Sequence, residues 1–179
     1  MRSTAAATCC ATVAAVVLTL GAISAGAAEH FADVLRESGW DRLIGTWVGD
    51  NGRGGEIRLT YAWRFKDRVV EIIARDGDNE SVSLVGYNPR TDKVFDLWAD
   101  NQGGSGQGEW RLEGEQTVLD LSFVGGDGQE GKLKVRQRLD GNDAMTITVD
   151  AREPIILKMT RVKPQTPVDP KKPDAGGGR

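Results

Sequence analysis

Ile57-Arg58-Leu59-Thr60-Tyr61-Ala62-Trp63-Arg64-Phe65 places Ile57, Leu59, Tyr61, Trp63 and Phe65 on one face and Arg58, Thr60, Ala62 and Arg64 on the other. This two-residue repeat is that of a half-buried β-strand. Weaker versions of the pattern recur from residue 45 to residue 162, each ended by Gly, Asp, Asn or Pro, so the body reads as one antiparallel β domain. Strands are expected at about 45 to 49, 55 to 65, 68 to 75, 80 to 87, 93 to 99, 107 to 113, 117 to 124, 132 to 139, 144 to 150 and 155 to 162. Upstream of them, Phe31, Val34 and Leu35 fall at helical spacing before Gly39, which predicts a short helix covering one end of the sheet.

The connectors are short, among them Lys66-Asp67, Asn88 to Asp92 and Gly114 to Gln116, so successive strands should pair as hairpins. A meander of about ten strands leaves two raw edges unless it closes on itself, which predicts a barrel. An outer-membrane barrel would need an apolar outer face. Here the outward positions Arg58, Arg64, Lys132, Lys134, Arg136 and Arg138 are charged, so lipid contact is not expected. Asp120 and Asp150 on flanking strands are placed to neutralise the basic row 132 to 138.

Arg2 precedes an uncharged, Ala-rich run whose most apolar part is Ala11 to Leu20, and Ala25-Gly26-Ala27-Ala28 offers small residues for cleavage before Glu29. Residues 1 to 28 therefore read as a secretory signal, with secretion or a periplasmic location and no membrane span after cleavage. Cys9 and Cys10 lie inside that segment, so the mature chain has no cysteine, which excludes a disulfide, a thiol nucleophile and Cys-based metal sites. Its single histidine is His30. Residues 29 to 162 are enough to bury one core without covalent staples. That segment carries 18 Lys and Arg against 24 Asp and Glu, a balance that argues against nucleic acid and anionic membranes as partners. After Val162 the chain KPQTPVDPKKPDAGGGR holds four of the six prolines and no aromatic residue, and residues 163 to 179 read as a disordered tail.

Gly45-Thr46-Trp47, on the first strand after a short helix, resembles the Gly-x-Trp signature of lipocalin-like (calycin-type) barrels, where the Trp closes the base of the barrel. Gly86-Tyr87-Asn88-Pro89, followed by Trp98-x-Asp100-x-x-Gly103-Gly104-x-Gly106-x-Gly108-x-Trp110, looks like the central hairpin of small exported lipocalin-like proteins of unknown function. Nitrobindin-type barrels are similar too, but they hold haem through a histidine late in the chain. This sequence has none there, and no cofactor is expected.

If the Lys66-Asp67 turn sets Phe65 opposite Arg68, then Val70, Ile72 and Ala74 join Tyr61, Trp63 and Phe65 inside. Alternation also points inward Trp110 and Leu112, Leu119 to Phe123, Leu133 to Leu139, Met145 to Val149, and Leu157 with Met159, each at every second residue. For residues 80 to 87 and 93 to 99 both parities are tolerable, which leaves Tyr87, Asp96 and Trp98 open. Gln137 stands among apolar inner positions, where its amide needs either a ligand or a bond to Tyr61, Tyr87 or backbone. Glu71 should point outward, and Asp96 is expected to pair with an Arg on the adjoining strand. No nucleophile and base come together, so no catalytic residue and no metal ligand is assigned.

Tyr61, Trp63, Tyr87, Asp96, Trp98, Trp110 and Gln137 are the lumen candidates. The reading favoured is an exported barrel, monomeric or weakly dimeric, that takes a small lipophilic or amphipathic ligand in its lumen. A barrel enzyme using Asp96 with Tyr or Trp donors, and a packed barrel acting through its surface, are the alternatives. Cavity volume separates the first from the last.

Overall fold

Alternating strands punctuated by turn residues need partners on both edges, and the structure supplies them by closure. The structure, a computed structural model, describes residues 30–163. The proposed signal, 1 to 28, and all of the proposed tail except Lys163 lie outside the described residues. A helix, α1 (Phe31–Glu37), and a single 3₁₀ turn (Asp41–Leu43) precede ten strands. These are β1 (Gly45–Asp50), β2 (Glu56–Phe65), β3 (Val69–Asp76), β4 (Asn79–Asn88), β5 (Lys93–Asp100), β6 (Ser105–Glu113), β7 (Gln116–Val124), β8 (Glu130–Leu139), β9 (Ala144–Asp150) and β10 (Ile155–Arg161). Each strand pairs antiparallel with its successor and β10 pairs with β1, so the meander closes into a barrel. No helix among the described residues is long and apolar enough to cross a membrane.

The register carries one inner face right round the ring. Tyr61 lies opposite Ile72, Ile72 opposite Ser83, Ser83 opposite Trp98, Trp98 opposite Gly106, Gly106 opposite Phe123, and Phe123 opposite Gly131. This settles the two open strands: Ser81, Ser83, Val85 and Tyr87 point inward, as do Val94, Asp96 and Trp98. Glu71, opposite Ala62 and Leu84, is on the outer face as expected.

The β2–β3 turn departs from expectation. It has three residues, Lys66 to Arg68, with Asp67 at φ 60 and the Arg68 N–H bonded to the Phe65 carbonyl at 3.0 Å. Trp63 still faces Val70, but a bulge follows and Phe65 pairs with Val69 instead of Arg68. One inserted residue reverses the alternation. Phe65 is therefore turned to the outer face, 62 % exposed, and not into the lumen.

Glycines make room where large inner side chains cross. A Cβ on Gly131 would come within 2.5 Å of the Phe123 ring, and one on Gly108 within 2.6 Å of the Asp120 carbonyl. Trp98 meets Phe123 edge to face at 6.1 Å, so aromatic rings fill this part of the barrel, near the loop from Asn101 to Gly104. That loop is tied by Asp100, whose Oδ1 accepts from the N–H groups of Gln102 and Gly104. Within the proposed central hairpin, Asp100, Gly103 and Gly104 thus serve turn geometry and Trp98 serves ring packing.

At the opposite rim, Trp47 is fully buried at the base of α1, its Nε1 donating to the Leu43 carbonyl at 2.9 Å. The Arg161 guanidinium lies over its ring at 4.2 Å and donates to the carbonyls of Ile44 and Arg42. Gly45 has φ 138, and a Cβ there would meet Arg161 Nη1 at 2.5 Å. Both facts account physically for a glycine two residues before Trp47. The outer face of β6 to β9 is a lattice of ion pairs, Arg111 with Glu113 and Asp120, Lys134 with Asp120, and Arg136 with Asp150. Of the basic row, Lys134 and Arg136 meet the two aspartates expected to neutralise it, whereas Arg138 pairs with Asp140 just past the end of its own strand.

Candidate functional site

The aromatic rings packed near the Asn101–Gly104 loop stop short of the rim where α1 sits. Between them and α1 lies a cavity of about 300 Å³. Its roof is the segment before β1: Phe31, Val34 and Leu35 from α1, then Ser38, Trp40, Leu43 and Ile44. The helical spacing that put Phe31, Val34 and Leu35 on one face is what points them together at the barrel. The roof is fixed by the Ala32 N–H, which donates to the Asp67 carbonyl at 3.3 Å, and by Phe31 set edge-on against Trp63 at 6.2 Å. Walls come from Val70, Ile72, Val85, Val94 and Leu112, which keep the space mainly apolar.

Polar groups enter at two levels. At the mouth, the Tyr87 hydroxyl donates to Asp92 Oδ1 at 2.9 Å, and Arg111 reaches the lining while bonded to Glu113 and Asp120. Deeper, Gln137 Nε2 donates to the Tyr61 hydroxyl at 2.9 Å. Gln137 is 5 % exposed, and its Oε1 has no hydrogen-bond partner. Burial pushes the Tyr61 phenol above its ordinary value of 10, against the Gln137 bond, and the Asp96 charge adds to the shift. The phenol therefore keeps its proton across the working pH range.

Among the described residues Asp96 is the most enclosed ionisable carboxyl, 1 % exposed. Its Oδ2 accepts from Trp110 Nε1 at 2.8 Å, while Oδ1 is without a hydrogen-bond partner. The Arg expected as its partner is replaced by this indole on the adjoining strand, because the inner face of β6 offers Gly106, Gly108 and Trp110 and no cation. Burial raises the Asp96 pKa above the ordinary carboxylate value, with the Trp110 N–H and more weakly the Ser83 hydroxyl acting against it.

Of the seven lumen candidates, Tyr61, Tyr87, Trp110 and Gln137 converge on the cavity. Trp63 serves the roof through Phe31. Asp96 is buried on the inner face but is not among the lining residues, and Trp98 packs on Phe123 away from the cavity. Leu112, expected inside, sits at the mouth and is 54 % exposed. Asp92, Arg111 and Thr117 also line the space and were not foreseen. The hairpin Tyr87–Asp92 brings Asp92 back to the rim, and Thr117, the second residue of β7, pairs with Leu112 at the same rim, but neither position stands out in the alternating pattern. Among the described residues no group of His, Cys, Asp and Glu is placed to hold a metal ion.

No family model matches the chain, and no curated protein matches it. Among solved structures it is similar to the crystal structure of Rv2717c from M. tuberculosis, with a TM-score of 0.50 and 14 % identity over 74 % of this chain and 99 % of that one. At that identity the likeness concerns the fold, a closed antiparallel barrel.

Proposed function

We propose that this protein is an exported, lipocalin-like carrier whose helix-roofed cavity holds a small apolar or amphipathic molecule. The observation that carries the reading is the unfilled space of about 300 Å³ under α1, in a barrel whose opposite part is packed by its own side chains. Binding sites for small molecules run from about 300 to 1,000 Å³ and are mostly apolar with a few placed polar groups, which is the character of this lining. An engineered apolar cavity of about 150 Å³ accepts benzene, so twice that volume suits a two-ring molecule or a short branched chain. The Gly45-x-Trp47 corner supports the lipocalin-like assignment, and residues 1 to 28 support export.

Native mass spectrometry of the protein purified gently from its own host tests the carrier role. A co-purified mass that survives desalting, with tryptophan fluorescence altered when it is stripped, is the expected result. A clean ligand-free mass and no response to a panel of lipophiles would remove the proposal. N-terminal sequencing of the exported form should begin at Glu29.

A further inference from the structure

The cavity has two ends of different chemistry. Its roof is apolar, but its deep wall carries Tyr61 and Gln137, hydrogen-bonded to each other at 2.9 Å. Since Gln137 Nε2 donates in that bond, the phenol proton remains to be given elsewhere, and the buried Oε1 of Gln137, without a hydrogen-bond partner, remains to accept. A single hydroxyl group on a ligand satisfies both at once, accepting from Tyr61 and donating to Gln137. A carboxamide does the same with two atoms.

A carboxylate is met differently. The charged lining residues are Asp92 and Arg111, and Arg111 is already bonded to Glu113 and Asp120. An anion at the deep wall would therefore be desolvated without a cation, with an unpaired acceptor at Gln137 and the buried Asp96 carboxyl close by. Resting on the carrier reading above, we infer that the cavity selects an uncharged amphiphile bound head-first, its hydroxyl or carboxamide against Tyr61 and Gln137 and its apolar body under α1, and that it rejects the corresponding carboxylate.

Three two-ring compounds of matched size test this by isothermal titration calorimetry on the ligand-free chain at neutral pH: 2-naphthol, naphthalene and 2-naphthoate. Two neutral hydrogen bonds predict 2-naphthol binding roughly five- to 150-fold more tightly than naphthalene. 2-Naphthoate should bind at least tenfold more weakly than 2-naphthol. In Tyr61→Phe and in Gln137→Leu, each of which keeps one of the two bonds, the naphthol preference should shrink to about the square root of its wild-type value, with naphthalene affinity kept as the sign of an intact cavity. Naphthoate binding as well as naphthol, or a preference that both variants leave untouched, overturns the head-first reading while sparing the carrier. If none of the three binds, the carrier reading itself falls, and this inference with it.

Discussion

Trp110→Phe removes the N–H that meets Asp96 Oδ2 at 2.8 Å while leaving a ring on the inner face of β6. The carboxyl it abandons is 1 % exposed and already has one oxygen without a partner. A hydrogen bond to a charged acceptor contributes about 1.5–3 kcal/mol and one to a neutral acceptor about 0.5–1.5 kcal/mol, so the same substitution should cost about 1 kcal/mol less in an Asp96→Asn background. Urea unfolding of wild type, both single variants and the double variant, compared at unchanged m, yields the coupling.

That coupling should depend on pH. Burial raises Asp96 in the folded protein above its ordinary value of 3.8, so over the intervening range the native state binds a proton that the unfolded chain has lost. Stability from this group is then fully present below 3.8 and falls as pH rises through the folded-state value. Asp96→Asn has no proton to lose and should lack this fall. Asp140, lowered by Thr146 and Arg138, contributes with the opposite sign, losing stability as pH drops. The wild-type minus Asp96→Asn difference at each pH isolates Asp96 from it. A difference that stays flat from acid to neutral pH, or a coupling within about 0.3 kcal/mol of zero throughout, would refute the reasoning.

Phe31→Ala should cost about 3 kcal/mol, since the ring is buried against Trp63, and amide hydrogen exchange should rise at Ala32 and the 66–68 turn before it rises in the barrel. Gly108→Ala places a Cβ 2.6 Å from the Asp120 carbonyl and 2.7 Å from Leu119 Cδ1, and a loss of about 1–3 kcal/mol in chemical denaturation is expected; an unchanged midpoint would mean the β6–β7 contact is looser than drawn. Arg161→Gln loses the cation over Trp47 and the fork to the Ile44 and Arg42 carbonyls, and should cost about 2 kcal/mol while quenching or shifting Trp47 emission.

The ten strands were legible because apolar alternation and turn residues agree at nearly every boundary. Leu119, Leu121 and Ile147 are buried and inward where parity put them. Parity fails at Phe65 because Arg64 keeps the polar slot in the pattern even though a bulge reverses the strand there, and a bulge leaves no mark in a two-residue repeat. Ser81 to Tyr87 and Lys93 to Ala99 were undecidable alone, since both faces carry apolar and small residues; cross-strand register from β3 decides them. The cavity was the least readable. Its existence depends on how far Trp98 and Phe123 reach and on where α1 docks, both long-range properties, although Tyr61 and Gln137 were recognisable as polar groups in an apolar wall. Val118 is fully buried despite its outward parity, between Arg111 and Arg136 in the ladder, because long basic side chains lay their methylene stems over a neighbour.

A ring opens at its weakest link, and here the links are unequal. The β1–β10 seam has three registered pairs, Trp47 with Arg161, Val48 with Thr160 and Gly49 with Met159, where β7 and β8 have nine. The clasp over that seam is Arg161, which grips the Ile44 and Arg42 carbonyls in the same segment that roofs the cavity. Lifting the roof therefore strips the clasp of two acceptors, so a molecule that enters by displacing this segment, and not through the mouth beside Tyr87 and Leu112, loosens the barrel at the join where it has least to spare.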